Sequence, residues 1–137
     1  MDRLLVDTGF LVAYGLRNDP FYSAANRFLK DYKGDLVTAA PVIVETCFFF
    51  GPVGKRHLLE WVHQGSISVV DVPVASYPDL SAIIGKYSDR DMDLADAALV
   101  WLAGETGLRR ILTVDERDFE VYRLKGGKRF EVIHWIR

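Results

Sequence analysis

The chain has 137 residues, half of them hydrophobic, and a formal net charge of −2. This length and composition predict one compact domain, 1–137, and argue against disorder. No stretch approaches the roughly 18 apolar residues of a membrane span, and the short, acidic N-terminus does not resemble a signal peptide. Cys47 is the only cysteine, which excludes an intramolecular disulfide and a cysteine-rich zinc site. A cytoplasmic protein is expected.

Charge is distributed unevenly along the chain. Residues 1–108 carry 9 Lys and Arg against 14 Asp and Glu, whereas residues 109–137 carry 8 against 5. An acidic protein is a poor partner for nucleic acid, but a local basic segment can still bind it. Charge alone therefore decides neither for nor against a nucleic-acid partner.

The predicted elements alternate between strands and helices. Apolar and β-branched runs predict strands near 3–7, 36–38, 67–72, 110–114 and 131–136. Helical spacing, with Pro or Gly at the boundaries, predicts helices near 21–33, 41–51, 53–63, 76–87 and 93–105. A loop is predicted at 88–91 and a turn at 125–128. This alternation indicates an α/β sandwich with a central, mostly parallel sheet flanked by helices.

Four acidic residues lie within or directly after apolar runs: Asp7, Glu45, Asp96 and Asp115. Asp7 and Asp115 follow predicted strands, while Glu45 and Asp96 lie inside predicted helices. An ionised carboxylate facing an apolar interior is costly unless it is paired or binds a cation. Four such positions in one small chain suggest a single cause, a divalent metal site.

The predicted sheet places these acids at one edge. Open α/β sheets bind ligands beyond the carboxyl ends of their strands, where Asp7 and Asp115 fall. The helices that carry Glu45 and Asp96 follow strands or loops leading to the same edge, so one crevice is expected. Oxygen ligands without His or Cys favour Mg²⁺ or Mn²⁺, which suit phosphoryl chemistry.

Simpler explanations exist for individual acids. Asp7 could cap a turn, and Asp115 or Asp118 could cap a short helix after the fourth strand. Asp93 lies three residues before Asp96 on one helical face, and a carboxylate there is favoured by the helix dipole. That explanation fits Asp93 well and Asp96 less well, because the helix is otherwise apolar nearly all round.

Four segments resemble, in order, the motifs of PIN-domain ribonucleases. They are Leu5-Val6-Asp7-Thr8, Val44-Glu45-Thr46, Met92-Asp93-Leu94-Ala95-Asp96-Ala97, and Leu112-Thr113-Val114-Asp115 continuing to Asp118-Phe119. The resemblance covers nearly the whole chain and is greatest to the VapC-type toxins of toxin–antitoxin pairs. It implies a PIN-like three-layer sandwich formed by a single domain.

The resemblance also implies an activity and a set of site residues. The activity would be that of a Mg²⁺- or Mn²⁺-dependent endoribonuclease leaving 5′-phosphate and 3′-hydroxyl ends. The implied metal-holding residues are Asp7, Glu45, Asp96 and Asp115, and the implied supporting residues are Thr8, Asp93, Thr113 and Asp118. The implied partners are an RNA substrate, a cognate antitoxin protein and a second copy of the chain in a homodimer.

The basic C-terminal segment gives candidate contacts to RNA phosphates, because it follows Asp115 in the chain. The candidates are Arg117, Arg123, Lys125, Lys128 and Arg129. The alternative is a solvated hairpin whose charges have no ligand.

Other functions remain open at this point. A housekeeping PIN nuclease of RNA processing or decay shares the acid set, and the same fold can serve as a non-catalytic RNA-binding or assembly module. A phosphotransfer domain is disfavoured. A dehalogenase-type loop needs a second Asp where Gly9 stands, and a receiver domain needs paired acids after its first strand and a lysine after its last.

Overall fold

The computed structural model describes residues 2–136, and its centre is a five-stranded parallel sheet. The strands are β1 (Arg3–Val6), β2 (Asp35–Ala39), β3 (Ser68–Val70), β4 (Arg110–Leu112) and β5 (Glu131–Val132). Their order across the sheet is β3-β2-β1-β4-β5, and every neighbouring pair is parallel. The predicted mostly parallel α/β sheet is therefore confirmed.

Within residues 2–136, seven α-helices connect the strands and flank the sheet. They are α1 (Thr8–Gly15), α2 (Tyr22–Asp31), α3 (Ala40–Cys47), α4 (Pro52–His63), α5 (Tyr77–Lys86), α6 (Leu94–Thr106) and α7 (Glu116–Val121). Short 3₁₀ turns occupy Val74–Ser76, Ser88–Arg90 and Lys125–Gly127. Each parallel crossover contains at least one helix, as parallel pairing requires. Within the described residues, no helix is both long and apolar enough to cross a bilayer.

The connectivity creates a switch point between β1 and β4. From β1 the chain moves outward through β2 to β3, then returns to the other side of β1 to form β4 and β5. The connections after β1 and β4 therefore leave the sheet in opposite directions. A crevice at this point, beyond the carboxyl ends of the strands, is the usual ligand position in such sheets.

The interior strand and helix explain the long apolar runs in the sequence. Leu4, Leu5 and Val6 of β1 are all fully buried, because both faces of a parallel sheet are covered by helices. On α6, every residue from 95 to 103 is buried, and the helix packs against α3, α5 and β2. A helix enclosed in this way needs apolar residues around its whole circumference.

Helix α1 is absent from the elements expected from sequence. Its residues are apolar nearly all round and most of them are buried, so they show no helical periodicity. Several boundaries also differ, and β3 and β4 end at Val70 and Leu112 rather than at 72 and 114. Helix α3 ends at Cys47 rather than near Gly51, and β5 covers 131–132 rather than 131–136, because its partner β4 ends at Leu112.

Candidate active site

An acidic crevice of about 370 Å³ lies beyond the ends of β1 and β4. Its carboxylates are Asp7, Asp19, Glu45, Asp93, Asp96 and Asp115. No Lys, Arg or His from residues 2–136 lines it. The structure thus brings together the four acids singled out from sequence, and nothing basic in the lining offsets their charge.

Asp7 is the most deeply buried of these acids, with 1% of its surface exposed. It follows β1, and its backbone N–H donates to the carbonyl of Leu112 on β4. Its side chain caps α1, because Oδ1 accepts a 2.7 Å hydrogen bond from the backbone N–H of Thr8. The cap anticipated as a simple explanation is therefore present, but it occupies only one carboxylate oxygen.

The second oxygen of Asp7 is bonded to Thr113, which links the two strand ends. The Thr113 hydroxyl donates to Asp7 Oδ2 at 2.8 Å and accepts from the backbone N–H of Asp115 at 2.9 Å. The Thr113 carbonyl in turn accepts from the indole N–H of Trp135 at 3.0 Å. Thr113 is completely buried, so these bonds fix the spacing of Asp7 and Asp115.

Asp96 lies in the first turn of α6 with 7% of its surface exposed. Its backbone N–H is capped by Oδ1 of Asp93 at 2.8 Å, which makes Asp93 the N-cap of the helix. The Asp96 side chain accepts a 2.8 Å hydrogen bond at Oδ2 from the hydroxyl of Tyr122. Asp93 thus orients the helix start, while Asp96 presents a nearly buried carboxylate.

Glu45 enters the crevice from α3 and is only half-buried. Its apolar neighbours form an interior only in part, because Val42 is completely buried while Val44 and Phe48 are 59% and 79% exposed. The Thr8 hydroxyl is near enough to lower the pKa of Glu45, yet Thr8 Oγ1 is buried and makes no hydrogen bond of good geometry. Thr8 therefore lines the crevice, while its unpartnered hydroxyl is sealed from solvent.

Burial raises the pKa of all four acids. Desolvation is the largest cause in each case and raises the pKa of Asp7 to about 7 and that of Asp96 to about 8. Neighbouring carboxylates raise the pKa values further, whereas hydrogen bonds from Thr113 and Tyr122 lower those of Asp7 and Asp96 respectively. Glu45 and Asp115 shift in the same direction. The crevice resists full ionisation by itself.

The remaining residues selected from sequence lie outside the crevice. Asp118 forms a 2.8 Å ion pair with Arg90, a partner that the sequence did not suggest. Arg123 caps the end of α7 by donating from Nη1 to the carbonyls of residues 120, 121 and 122. None of the five basic candidates, Arg117, Arg123, Lys125, Lys128 and Arg129, lines the crevice.

Sequence reasoning missed two residues of this region. Asp19 lines the crevice, and its side chain accepts a hydrogen bond from the backbone N–H of Phe21 at the start of the next helix. Tyr122 contacts Asp96 across 26 residues of chain. No local pattern identifies such a contact, because it depends on how α7 packs beside α6.

The acids share a crevice without forming a preassembled metal centre. Among residues 2–136, no group of three or more His, Cys, Asp or Glu side chains is arranged as a metal site. The donor chemistry nevertheless fits a hard divalent cation, since the crevice offers several carboxylates.

Comparisons with known proteins agree with this fold. The structure matches the crystal structure of Mycobacterium tuberculosis VapC20, a sarcin-ricin loop cleaving toxin, with a TM-score of 0.75 at 17% identity over 84% of this chain and 93% of that one. It also matches FitAcB from Neisseria gonorrhoeae, with a TM-score of 0.50 at 21% identity over 82% of this chain and 87% of that one. No family model matches the sequence.

The parallel sheet and the acidic crevice at its switch point define a PIN-type α/β domain. The sequence is 30% identical to Ribonuclease VapC26 of Mycobacterium tuberculosis over 134 residues, which are 95% of this chain and 99% of the relative. The chain belongs to the VapC family of ribonucleases. The expectation of a VapC-type endoribonuclease toxin is thereby confirmed, while the roles of individual residues remain predictions.

Proposed function

We propose that the crevice is the active site of a divalent-metal-dependent endoribonuclease and that Asp7, Glu45, Asp96 and Asp115 hold Mg²⁺ or Mn²⁺ there. One observation carries the proposal: carboxylates from four separate segments line a crevice that contains no basic side chain among the described residues. The burial of Asp7 and Asp96 and the repulsion among the four acids are costly without a cation. A bound divalent cation would activate water and neutralise charge on the phosphodiester.

The protein's own residues supply the arrangement around that chemistry. Thr113 holds Asp7 and Asp115 in fixed relation, and Asp93 fixes the start of α6 from which Asp96 projects. Glu45 closes the crevice from α3, on the side where the exposed ring of Phe49 also lines it. The scissile phosphate would lie against these oxygens only through a cation, because anions repel at such distances.

The test compares wild type with Asp96→Asn and a matched control, Asp89→Asn, on total cellular RNA with added Mn²⁺. Asp89 is an exposed acid that does not line the crevice. We expect new RNA 5′-phosphate ends, mapped by sequencing, with wild type and Asp89→Asn and none with Asp96→Asn. Cuts that persist in Asp96→Asn, or that survive removal of metal by EDTA, would contradict the mechanism.

We also propose that this chain has protein partners, a cognate antitoxin and a second copy of itself. In support, a largely apolar groove of about 840 Å³ is lined by residues of α3, α5 and α6. Exposed apolar side chains surround it, including Val44, Phe48, Tyr77 and Leu94. Contiguous exposed apolar surface of this kind marks interaction sites.

The homodimer is tested by the mass of the purified chain in solution. Light scattering should give twice the monomer mass, and a monomer would contradict the homodimer.

The basic candidates are proposed to guide RNA toward the crevice rather than to contact reacting atoms. Arg117, Lys125 and Lys128 are exposed and free of the capping bonds that engage Arg123. Lys125→Ala combined with Lys128→Ala should therefore weaken RNA binding and reduce its salt dependence. If the double variant bound RNA as tightly as wild type at every salt concentration, these lysines would be solvated residues without a role in RNA binding.

A further inference from the structure

Tyr122 makes a contact that distinguishes it from the other buried aromatic residues. Its side chain is 1% exposed, and its hydroxyl donates a 2.8 Å hydrogen bond to Oδ2 of Asp96. A buried tyrosine usually satisfies its hydroxyl somewhere, so one bond by itself means little. This bond, however, ends on one of the four acids of the crevice rather than on the backbone.

The ring of Tyr122 is held from several sides. It packs edge-on against Tyr87 and Phe119, with centroids 5.0 and 5.1 Å away, and Phe119 packs in the same way on Phe130. The hydroxyl of Tyr87 accepts a 2.7 Å bond from the backbone N–H of Arg123 and, unlike that of Tyr122, bonds no acid of the crevice. The phenol of Tyr122 is therefore a rigid donor, because its ring has little freedom to move.

The bond leaves one oxygen of Asp96 available. Oδ2 accepts from Tyr122, while Oδ1 has no hydrogen-bond partner within residues 2–136. In that region, the buried side-chain oxygen and nitrogen atoms without a partner are Thr8 Oγ1 and Trp101 Nε1. Asp96 Oδ1 is not one of them, so this unpartnered oxygen is accessible to solvent. Asp96 lines the crevice, so its free oxygen can meet a ligand there.

We propose that Tyr122 is a positioning residue that fixes Oδ2 of Asp96 and thereby directs Oδ1 into the acidic crevice. The inference rests on the proposed function, since it concerns how one of the four acids meets a cation. Residues that hydrogen-bond to metal ligands orient them, and their removal commonly weakens metal affinity by about 10- to 100-fold. Tyr122 would act through Asp96 without touching metal or RNA.

The chain offers a matched control for the test. Tyr122→Phe and Tyr87→Phe each delete one buried hydroxyl from the same aromatic cluster, but only the first deletes a bond to an acid of the crevice. Mn²⁺ affinity would be measured by calorimetry on the full chain, with folding checked by circular dichroism. We expect a dissociation constant raised about 10-fold or more in Tyr122→Phe and changed less than about 2-fold in Tyr87→Phe.

Repeating the substitution in Asp96→Asn distinguishes an effect on the position of Asp96 from a general loss of structural rigidity. In Asp96→Asn, adding Tyr122→Phe should change the Mn²⁺ dissociation constant by less than about 2-fold, because the acid that Tyr122 orients is already lost. The positioning role would be overturned if Tyr122→Phe raised the Mn²⁺ dissociation constant equally in wild type and in Asp96→Asn. It would also be overturned if Tyr122→Phe and Tyr87→Phe raised that constant equally. Failure of the wild-type protein to bind Mn²⁺ would overturn the proposed function as well.

A measurement on the unmodified protein covers the case in which Tyr122→Phe does not fold. In an NMR titration with Mg²⁺, the ring signals of Tyr122 should shift together with the Asp96 amide signal and more than those of Tyr87. Tyr122 signals that stay constant while the Asp96 signal moves would contradict the inference.

Discussion

At the scale of single residues, hydrogen bonds hold the two most buried carboxylates of the crevice in place. Both oxygens of Asp7 accept bonds, from Thr8 and Thr113, whereas Asp96 has one oxygen bonded to Tyr122. These bonds favour the ionised forms, but burial disfavours them more, so the net effect on both pKa values is upward. The metal-free site therefore retains protons that the unfolded chain would release.

The first prediction concerns the pH dependence of stability without metal. The pKa of Asp96 is about 8 in the folded protein and about 4 when unfolded, so its contribution to stability is complete below pH 4 and is lost as pH rises through 8. Asp96→Asn cannot ionise and should be more stable than wild type at pH 8, by up to about 5 kcal/mol. Urea unfolding at pH 5 and pH 8 in EDTA measures this. The prediction would be contradicted if wild type became more stable relative to Asp96→Asn between pH 5 and pH 8.

At the scale of elements, three helix starts converge on the crevice. Asp7, Asp93 and Asp115 are the N-cap residues of α1, α6 and α7. Negative charge is favoured at helix N-termini, so these helices partly offset the repulsion among the acids. The close approach of α1 to the end of β4 depends on Gly9, because a Cβ there would collide with the side chain of Val114.

The second prediction follows from that approach. Gly9→Ala should push α1 away from β4, separate Asp7 from Asp115, lower stability by about 1–3 kcal/mol and reduce RNA cleavage. Gly104→Ala is the control, since its Cβ would meet only the Lys125 side chain at an ordinary 3.8 Å and alanine favours the helix. Denaturant unfolding and cleavage assays give both readouts. Equal stability of the two variants would show that Val114 can move aside.

At the scale of the whole molecule, every strand contributes to the position of the site. The acids come from the connections after β1, β2, β3 and β4, and β5 leads to Trp135, whose indole bonds the Thr113 carbonyl. Trp135 also packs edge-on against Phe10 and Phe21, with centroids 4.7 and 6.1 Å away. The last segment of the chain thus supports the first acid through Thr113.

The third prediction links metal binding to global stability. A cation that binds only the folded chain should add about 2.7 kcal/mol at a concentration 100 times its dissociation constant. Thermal unfolding at pH 8 should therefore shift upward on addition of Mn²⁺ for wild type and for Asp89→Asn, but much less for Asp96→Asn. Identical shifts in all three proteins would indicate binding elsewhere on the molecule.

Much of the fold could be predicted because its signals are local. The β-branched and apolar runs of the strands, and the Pro and Gly residues that bound the helices, are properties of neighbouring residues. Helix α1 escaped prediction for the same reason, since a helix buried on nearly all sides has no polar face. The exposure of Phe48 and Phe49 was also hidden, because apolar sequence does not reveal which face meets water.

The four acids among apolar neighbours were determined by the sequence alone, as was the expectation that they meet at one edge of a parallel sheet. Only the tertiary structure decided what each one contacts: Thr113 between Asp7 and Asp115, Tyr122 on Asp96, and Arg90 on Asp118. The reason is physical. Residue type and spacing set local conformation, whereas hydrogen bonds between residues 26 or 106 positions apart exist only after the helices have packed on the sheet.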